Sequence, residues 1–384
     1  MPLPQFRALP QGTRRTLHVR NQLTCHNNLP IDALCFNSKR NQILTADRYK
    51  LTLFSLRKEL KRVNLVPPQS KDLHALIVAL VHNVQQDVYT AVFGGDPRVV
   101  EHNHYVHPAV VRVYHSSLAV LLQFSAHQGP ILAATFNQNR CQLVTSSTTA
   151  AIRVWNFDSA NSSGKNGKDG KGDTNPTMMA TSVDAGGSGV QVILGHILED
   201  HDRPVGVLHV ASCGKLLLGS GGTDVWIWNM GDGVLMRCIR SLHNFQTELI
   251  TAMIYTTRLD ELTLGYDDGV IAVWRIELIS KTHNSQQQKD QRQNVASTAI
   301  IAVNTSSSLA AAPSTSAITV NTNKLKRPTL LREFESHEGR VHGLALSDDR
   351  RWIFSCGVDG MICHHDALHG SRLGGLRCSS IVRA

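Results

Sequence analysis

Six positions share one context and nearly one spacing. Phe54, Tyr114, Trp155, Trp228, Trp274 and His365 each close a short apolar run that follows a turn. Tyr114 and Trp155 are 41 residues apart, and Trp228 and Trp274 are 46 apart. The longer gaps are 73 residues between Trp155 and Trp228 and 91 between Trp274 and His365. They fall to 41 and 44 once two compositionally biased segments, 159–190 and 281–327, are set aside. A period of roughly 40 to 45 residues, with about four strands per unit, is the signature of propeller blades. One such unit cannot bury both faces by itself and needs copies of itself as neighbours. The chain therefore reads as all-β, a β-propeller of four-stranded blades with six detectable units.

The clearest copy runs from His127 to Asp158. His127 opens it, Ile131 to Phe136 form one strand, and Asn137 to Arg140 a polar turn. Leu143 to Ser147 and Ala151 to Trp155 supply two more strands. In the last one Ile152 and Val154 point one way, Arg153 and Trp155 the other, the period of two of a strand. The first unit repeats this order: His26 to Phe54 spans 28 positions, as does His127 to Trp155. Later units open at His201, His243 and His337. The second lacks the opening His and has a long connection, Gly94 to Ala109.

The biased segments interrupt this pattern. Residues 159–190 are rich in Gly, Ser, Asn, Lys and Asp, and residues 281–327 in Gln, Ser, Thr, Ala and Asn, ending in Lys324–Arg327. Neither composition suits a packed core, and both read as flexible insertions. Residues 1–15 read as a flexible arm and 16–384 as the propeller. Thr16 to Arg20 and the tail from Leu373 to Val382 are each expected to add a strand.

The apolar runs are too short to cross a membrane, and the N-terminus lacks the apolar core of a secretory signal. Eight scattered Cys without a CxxC pair suit reduced, buried thiols in a cytoplasmic protein. The formal charge of +9 raises an anionic partner such as RNA as an alternative.

These units resemble the WD-repeat family. The resemblance rests on His127 with Trp155 and Asn156, His201 with Trp228 and Asn229, His243 with Asp268 and Trp274, and His337 with Asp359. In that family a His, a Ser or Thr, a turn Asp and the closing Trp form a hydrogen-bonded tetrad, which supplies partners to buried ring N–H groups. Here the turn position is Thr149 in the third unit and Gly222 in the fourth, and no unit ends in Trp-Asp, so the blades are divergent. The family commonly has seven blades, against six units here.

The resemblance implies a non-catalytic protein-interaction scaffold without a cofactor, in a multiprotein assembly of ciliary or cytoskeletal kind. Its binding loops follow each opening His, which makes Gln128, Arg203, Gln246 and Arg340 the candidate contact residues. An Arg two places after the closing Trp, used in recruitment to ubiquitin ligases, is absent: Phe157, Met230 and Ile276 stand there.

Catalytic motifs are missing from the sequence: there is no GxSxG, P-loop or HExxH. Gly219 to Gly222 lie between strands with no helix to form a phosphate site. His102, His104 and His107, and Cys363, His364 and His365, are the metal-like groupings that motivate a metal-enzyme alternative. Neighbouring strand residues face opposite sides, which works against chelation by the second group.

Overall fold

The computed structural model describes residues 31–47, 50–56, 61–66, 75–95, 109–159, 179–182, 190–240, 242, 249–278 and 327–377. These fold into six antiparallel sheets arranged as the blades of a propeller ring. Blade one is β1 (Ala33–Asn37), β2 (Gln42–Asp47), β3 (Lys50–Ser55) and β4 (Lys61–Val66). Blade two is β5 (Ala75–Asn83), β6 (Val88–Gly95), β7 (Ala109–Tyr114) and β8 (Val120–His127). Blade three is β9 (Ile131–Asn137), β10 (Gln142–Ser147), β11 (Ile152–Ser159), β12 (Met179–Ser182) and β13 (Val190–Leu198). Blade four is β14 (Val207–Val210), β15 (Leu216–Gly221), β16 (Asp224–Asn229) and β17 (Leu235–Ile239). Blade five is β18 (Ile250–Thr256), β19 (Glu261–Tyr266), β20 (Val270–Arg275) and β21 (Thr329–Glu335). Blade six is β22 (Val341–Leu346), β23 (Trp352–Gly357), β24 (Met361–Asp366) and β25 (Arg372–Arg377).

The first strands of successive blades pack side by side, β1 on β5, β5 on β9, β9 on β14, β14 on β18 and β18 on β22. Because every blade has the same strand order, two faces result. The upper face carries the connections between blades and the turn joining second to third strand. The lower face carries the hairpin joining first to second strand.

The repeat is written into the backbone as well as the side chains. Pairing between third and outer strand shifts register beside the closing position in every blade: before Phe54, Tyr114, Trp155, Trp228, Trp274 and His365. A bulge there bends the strand and re-aims the large side chain. Each lower hairpin also holds one residue in the left-handed region: Asn41, Asp87, Cys141, Gly214, Asp260 and Arg350. Asn, Asp and Gly adopt that conformation readily, whereas Cys141 and Arg350 do so against preference.

The blades are held by packed apolar faces and, at the lower hairpins, by polar contacts between neighbours. The Asp87 carboxylate accepts from Asn37 Nδ2 at 3.1 Å and pairs with Arg40 Nε at 2.7 Å. Gln138 donates to the His82 carbonyl and accepts from the Val84 amide. Asn137 donates to the Gly214 carbonyl at 2.9 Å and Arg140 to that of Met230 at 3.1 Å. Arg332 Nη1 reaches the Leu368 carbonyl at 3.0 Å, joining blades five and six.

The structure adds detail to two sequence expectations. Within the insertion 159–190, Met179–Ser182 pairs with β13, giving blade three five strands, and β11 runs to Ser159. Backbone groups on the edge of β13 can pair with a polar stretch, since that pairing needs no apolar side chain. The strand expected of the tail is β25, which completes blade six. The arm 1–15, His26, Thr16 to Arg20, and nearly all of 281–327 lie outside the described residues.

Candidate functional site

The closing residue of each blade lies across from the second strand, and the strand position two residues further on decides what it can bond. Those positions are Thr45, Ala91, Thr145, Gly219, Leu264 and Ser355. Only where a hydroxyl stands there, with an opening His above it, can a tetrad assemble. In blade three Trp155 Nε1 donates to Thr145 Oγ1 at 3.1 Å, and His127 Nε2 lies 2.8 Å from the same oxygen. Burial pushes the His127 imidazole down to about 4, so it is neutral at pH 7 and shares one hydrogen bond with the Thr145 hydroxyl through Nε2. The Nδ1 atom of His127 is buried without a partner, because Thr149 replaces the turn Asp and bonds Ser147 Oγ instead.

Blade six keeps the full chain with one substitution. His337 Nε2 lies 2.8 Å from Ser355 Oγ and its Nδ1 3.0 Å from Asp359 Oδ1. Asp359 also accepts from the amides of Met361 and Glu338. Burial opposes ionisation of that carboxyl, but these bonds outweigh it and hold it below the usual carboxylate range. His365 takes the Trp place and reaches the tetrad through Ser336, with 2.9 Å on each side of that hydroxyl.

Blades four and five have lost the arrangement. Trp228 Nε1 and Trp274 Nε1 are buried without partners, as their cross-strand positions are Gly219 and Leu264. His201 packs edge-on to Trp226 and Trp228 with ring centroids 5.9 and 5.6 Å away, and neither of its ring nitrogens is bonded. Asp268 serves its own turn, accepting from the Val270 amide at 2.9 Å. His243 lies outside the described residues.

The bonded arrangements lie beneath the loops that carry Gln128 and Arg340, and Arg203 stands on the equivalent loop of blade four. Gln128, Arg203 and Arg340 are all exposed, on the connections that lead into blades three, four and six. The Arg340 carbonyl accepts from the Val358 amide at 3.0 Å, tying that loop to the upper turn of its blade. Gln246 lies outside the described residues. Beside Arg203 the upper face carries Glu199, Asp200 and Asp202, and Asp202 pairs with Arg240 at 3.1 Å. These acidic neighbours were legible as the run Glu199 to Asp202 but belong to no repeat position.

The family model described as WD domain, G-beta repeat, matches residues 118–156 and 328–366. Each match begins at the outer strand of one blade and ends in the third strand of the next. Among the described residues, the contacts between a hydroxyl and the opening His, in blades three and six, fall within these two stretches. The chain is a WD-repeat β-propeller. A comparison with curated proteins finds no matching relative. As a family, WD-repeat propellers are typically protein-interaction modules and generally non-catalytic.

The charge of this WD-repeat propeller differs from that of the whole chain. Among the described residues Lys and Arg balance Asp and Glu, 21 against 21, so the formal excess of +9 belongs to the other residues. The basic excess behind the RNA alternative thus lies outside the described blades. Among the described residues no group of three His, Cys, Asp or Glu is placed to hold a metal. Cys363 and His365 face blade five beneath Ser336, whereas His364 points to the opposite side against Trp352 and Phe354. His102, His104 and His107 lie outside the described residues.

Proposed function

We propose that this propeller is a protein-interaction platform that acts by binding, with its upper face as the docking surface. One observation carries the reading: Gln128, Arg203 and Arg340 stand exposed on equivalent loops of one face, anchored on a stacked β framework. Loops held by a rigid scaffold are where recognition concentrates. The mixed polarity around them, with Arg203 beside Asp202, suits a protein surface better than a polyanion. A reducing, cytoplasmic setting is part of the proposal. It is supported by Cys35, Cys141 and Cys363, which are buried and unbridged, with burial pushing the Cys35 thiol up to about 12. Membership of a ciliary or cytoskeletal assembly is the finest part, and rests on the family resemblance alone.

The test is proximity labelling in the native cell with the full chain and with Arg203→Glu and Arg340→Glu. Lys215→Glu on the lower face is the control. The proposal expects the upper-face changes to remove a defined set of labelled proteins that the control retains. An unchanged set, or equal loss in the control, would overturn it.

A further inference from the structure

The sequence run Lys324, Leu325, Lys326, Arg327 leads straight into Pro328 and Thr329, where β21, the outer strand of blade five, begins. Eight Ser and Thr residues are exposed among the described residues, Thr329 among them. Thr329 has three Lys or Arg within the five residues before it, whereas Ser117 has one, Arg112, and the other six have none. Its hydroxyl is therefore set apart by the charge that precedes it.

What lies across the sheet from Thr329 is cationic as well. Thr329 stands opposite Arg275 of β20, and Arg275 stands opposite Glu261 of β19. Directly opposed residues of an antiparallel pair share a face, with Cβ atoms about 4.5–5.5 Å apart. Arg332 belongs to the same group: its Nη2 lies 3.2 Å from Glu261 Oε2, and its Nη1 donates to the Leu368 carbonyl of blade six at 3.0 Å. Arg275 is held more loosely. Its side chain is 51% exposed, and its Nη2 is 3.6 Å from Glu261 Oε1, too far for a hydrogen bond. One carboxylate thus faces two guanidinium groups and bonds the buried one.

A phosphate on Thr329 would complete this row. It adds a charge of about −1.5 to −2 and three acceptor oxygens, and an arginine fork can bond two of them. Arg275 could turn to it while Glu261 keeps Arg332, so the link to Leu368 between blades five and six would stay intact. The hydroxyl is also reachable by an enzyme. It sits on the first residue of an outer strand, and strand ends open most readily. Lys324, Lys326 and Arg327 would be drawn to acidic groups beside the enzyme's cleft.

We propose that Thr329 is a phosphorylation site for a protein kinase that reads the basic residues before it, and that Arg275 clamps the phosphate. The Thr329 hydroxyl oxygen attacks the terminal phosphorus of ATP, the bond from that phosphorus to its bridging oxygen breaks, ADP leaves, and the hydroxyl proton passes to the kinase's base. The site is at the lower end of blade five and so goes beyond the upper-face reading.

The experiment maps phosphate by mass spectrometry on the full chain from its native cell, and on purified chain incubated with an arginine-directed protein kinase and ATP. Both are expected to carry phosphate on Thr329. Lys326→Ala with Arg327→Ala is expected to slow the reaction in vitro by about tenfold or more, the loss of charge-assisted contacts to the kinase. Phosphorus NMR of the phosphorylated chain reads the clamp: the second ionisation should fall below the ordinary value of about 6 and return to it in Arg275→Ala. That half-exposed substitution should leave the thermal transition within a few degrees of the parent. No phosphate on Thr329 in the chain from the cell, phosphate only on other residues, or an unchanged rate in the Lys326/Arg327 variant would overturn the site. A titration that Arg275→Ala does not move would overturn the clamp.

Discussion

Thr145 is the most informative single position, because its hydroxyl serves two buried rings at once. In Thr145→Val a methyl takes the place of Oγ1. Trp155 Nε1 loses its acceptor at 3.1 Å and His127 Nε2 its partner at 2.8 Å. Both side chains are 2% exposed, so water cannot replace what is lost. An orphaned buried polar group costs about 1–3 kcal/mol, and two give about 2–6 kcal/mol. That is a large share of the ~5–15 kcal/mol typical of a folded protein. At about 2–4 °C per kcal/mol, the midpoint falls by roughly 4–24 °C. Urea unfolding followed by Trp fluorescence, with calorimetry in parallel, measures it. Thr145→Ser keeps the oxygen and drops only the methyl, so its expected loss is about 1 kcal/mol. A Thr145→Val protein within about 0.5 kcal/mol of the parent, or a Ser variant as damaged as the Val variant, refutes the tetrad as the source of stability.

Other outcomes follow from the same geometry. Thr149→Asp places a carboxylate 22 residues after His127, the spacing of Asp359 from His337, and supplies the missing Nδ1 partner. It should stabilise by about 0.5–1.5 kcal/mol in urea and raise the His127 pKa by NMR titration. Gly219→Ser should fail to rescue Trp228, because a Cβ there would lie 2.9 Å from Val205 and 3.0 Å from the Trp228 ring. The expected result is a loss of about 1–3 kcal/mol. Ala150 sits at φ 54° where blades five and six place Gly269 and Gly360, so Ala150→Gly should be neutral or stabilising by chemical denaturation. Burial pushes His127 and His365 down to about 4, from about 6.5 unfolded. The unfolded chain then binds more protons between those values. Stability is full above pH 6.5 and falls as the pH drops towards 4, by on the order of 3 kcal/mol per His. His127→Gln should flatten that part of the midpoint-against-pH curve.

How much was legible in the sequence depended on what each residue had to do. The closing positions were readable because a bulge presenting a large side chain recurs once per blade, and composition alone marked off the interrupting segments. The loss of the tetrad in blades four and five was not readable from His201, Trp228 or Trp274. It turns on Gly219 and Leu264, residues that become partners only through cross-strand register. The pairing of Met179–Ser182 within the insertion was not readable, because edge pairing uses backbone groups, which composition does not report. Of the contact candidates, Gln128, Arg203 and Arg340 are placed on one face by the shared strand order.

The sequence by itself determined the class of fold. A period of roughly 40 to 45 residues with alternating strands leaves stacked sheets as the way to bury both faces. Tertiary structure alone decided which blades carry a bonded tetrad. Thr145 and Leu264 look like any other strand residues in the sequence. Only cross-strand register sets one of them beneath a closing Trp as an acceptor and the other as a side chain that cannot bond it, and a local pattern holds no record of that register.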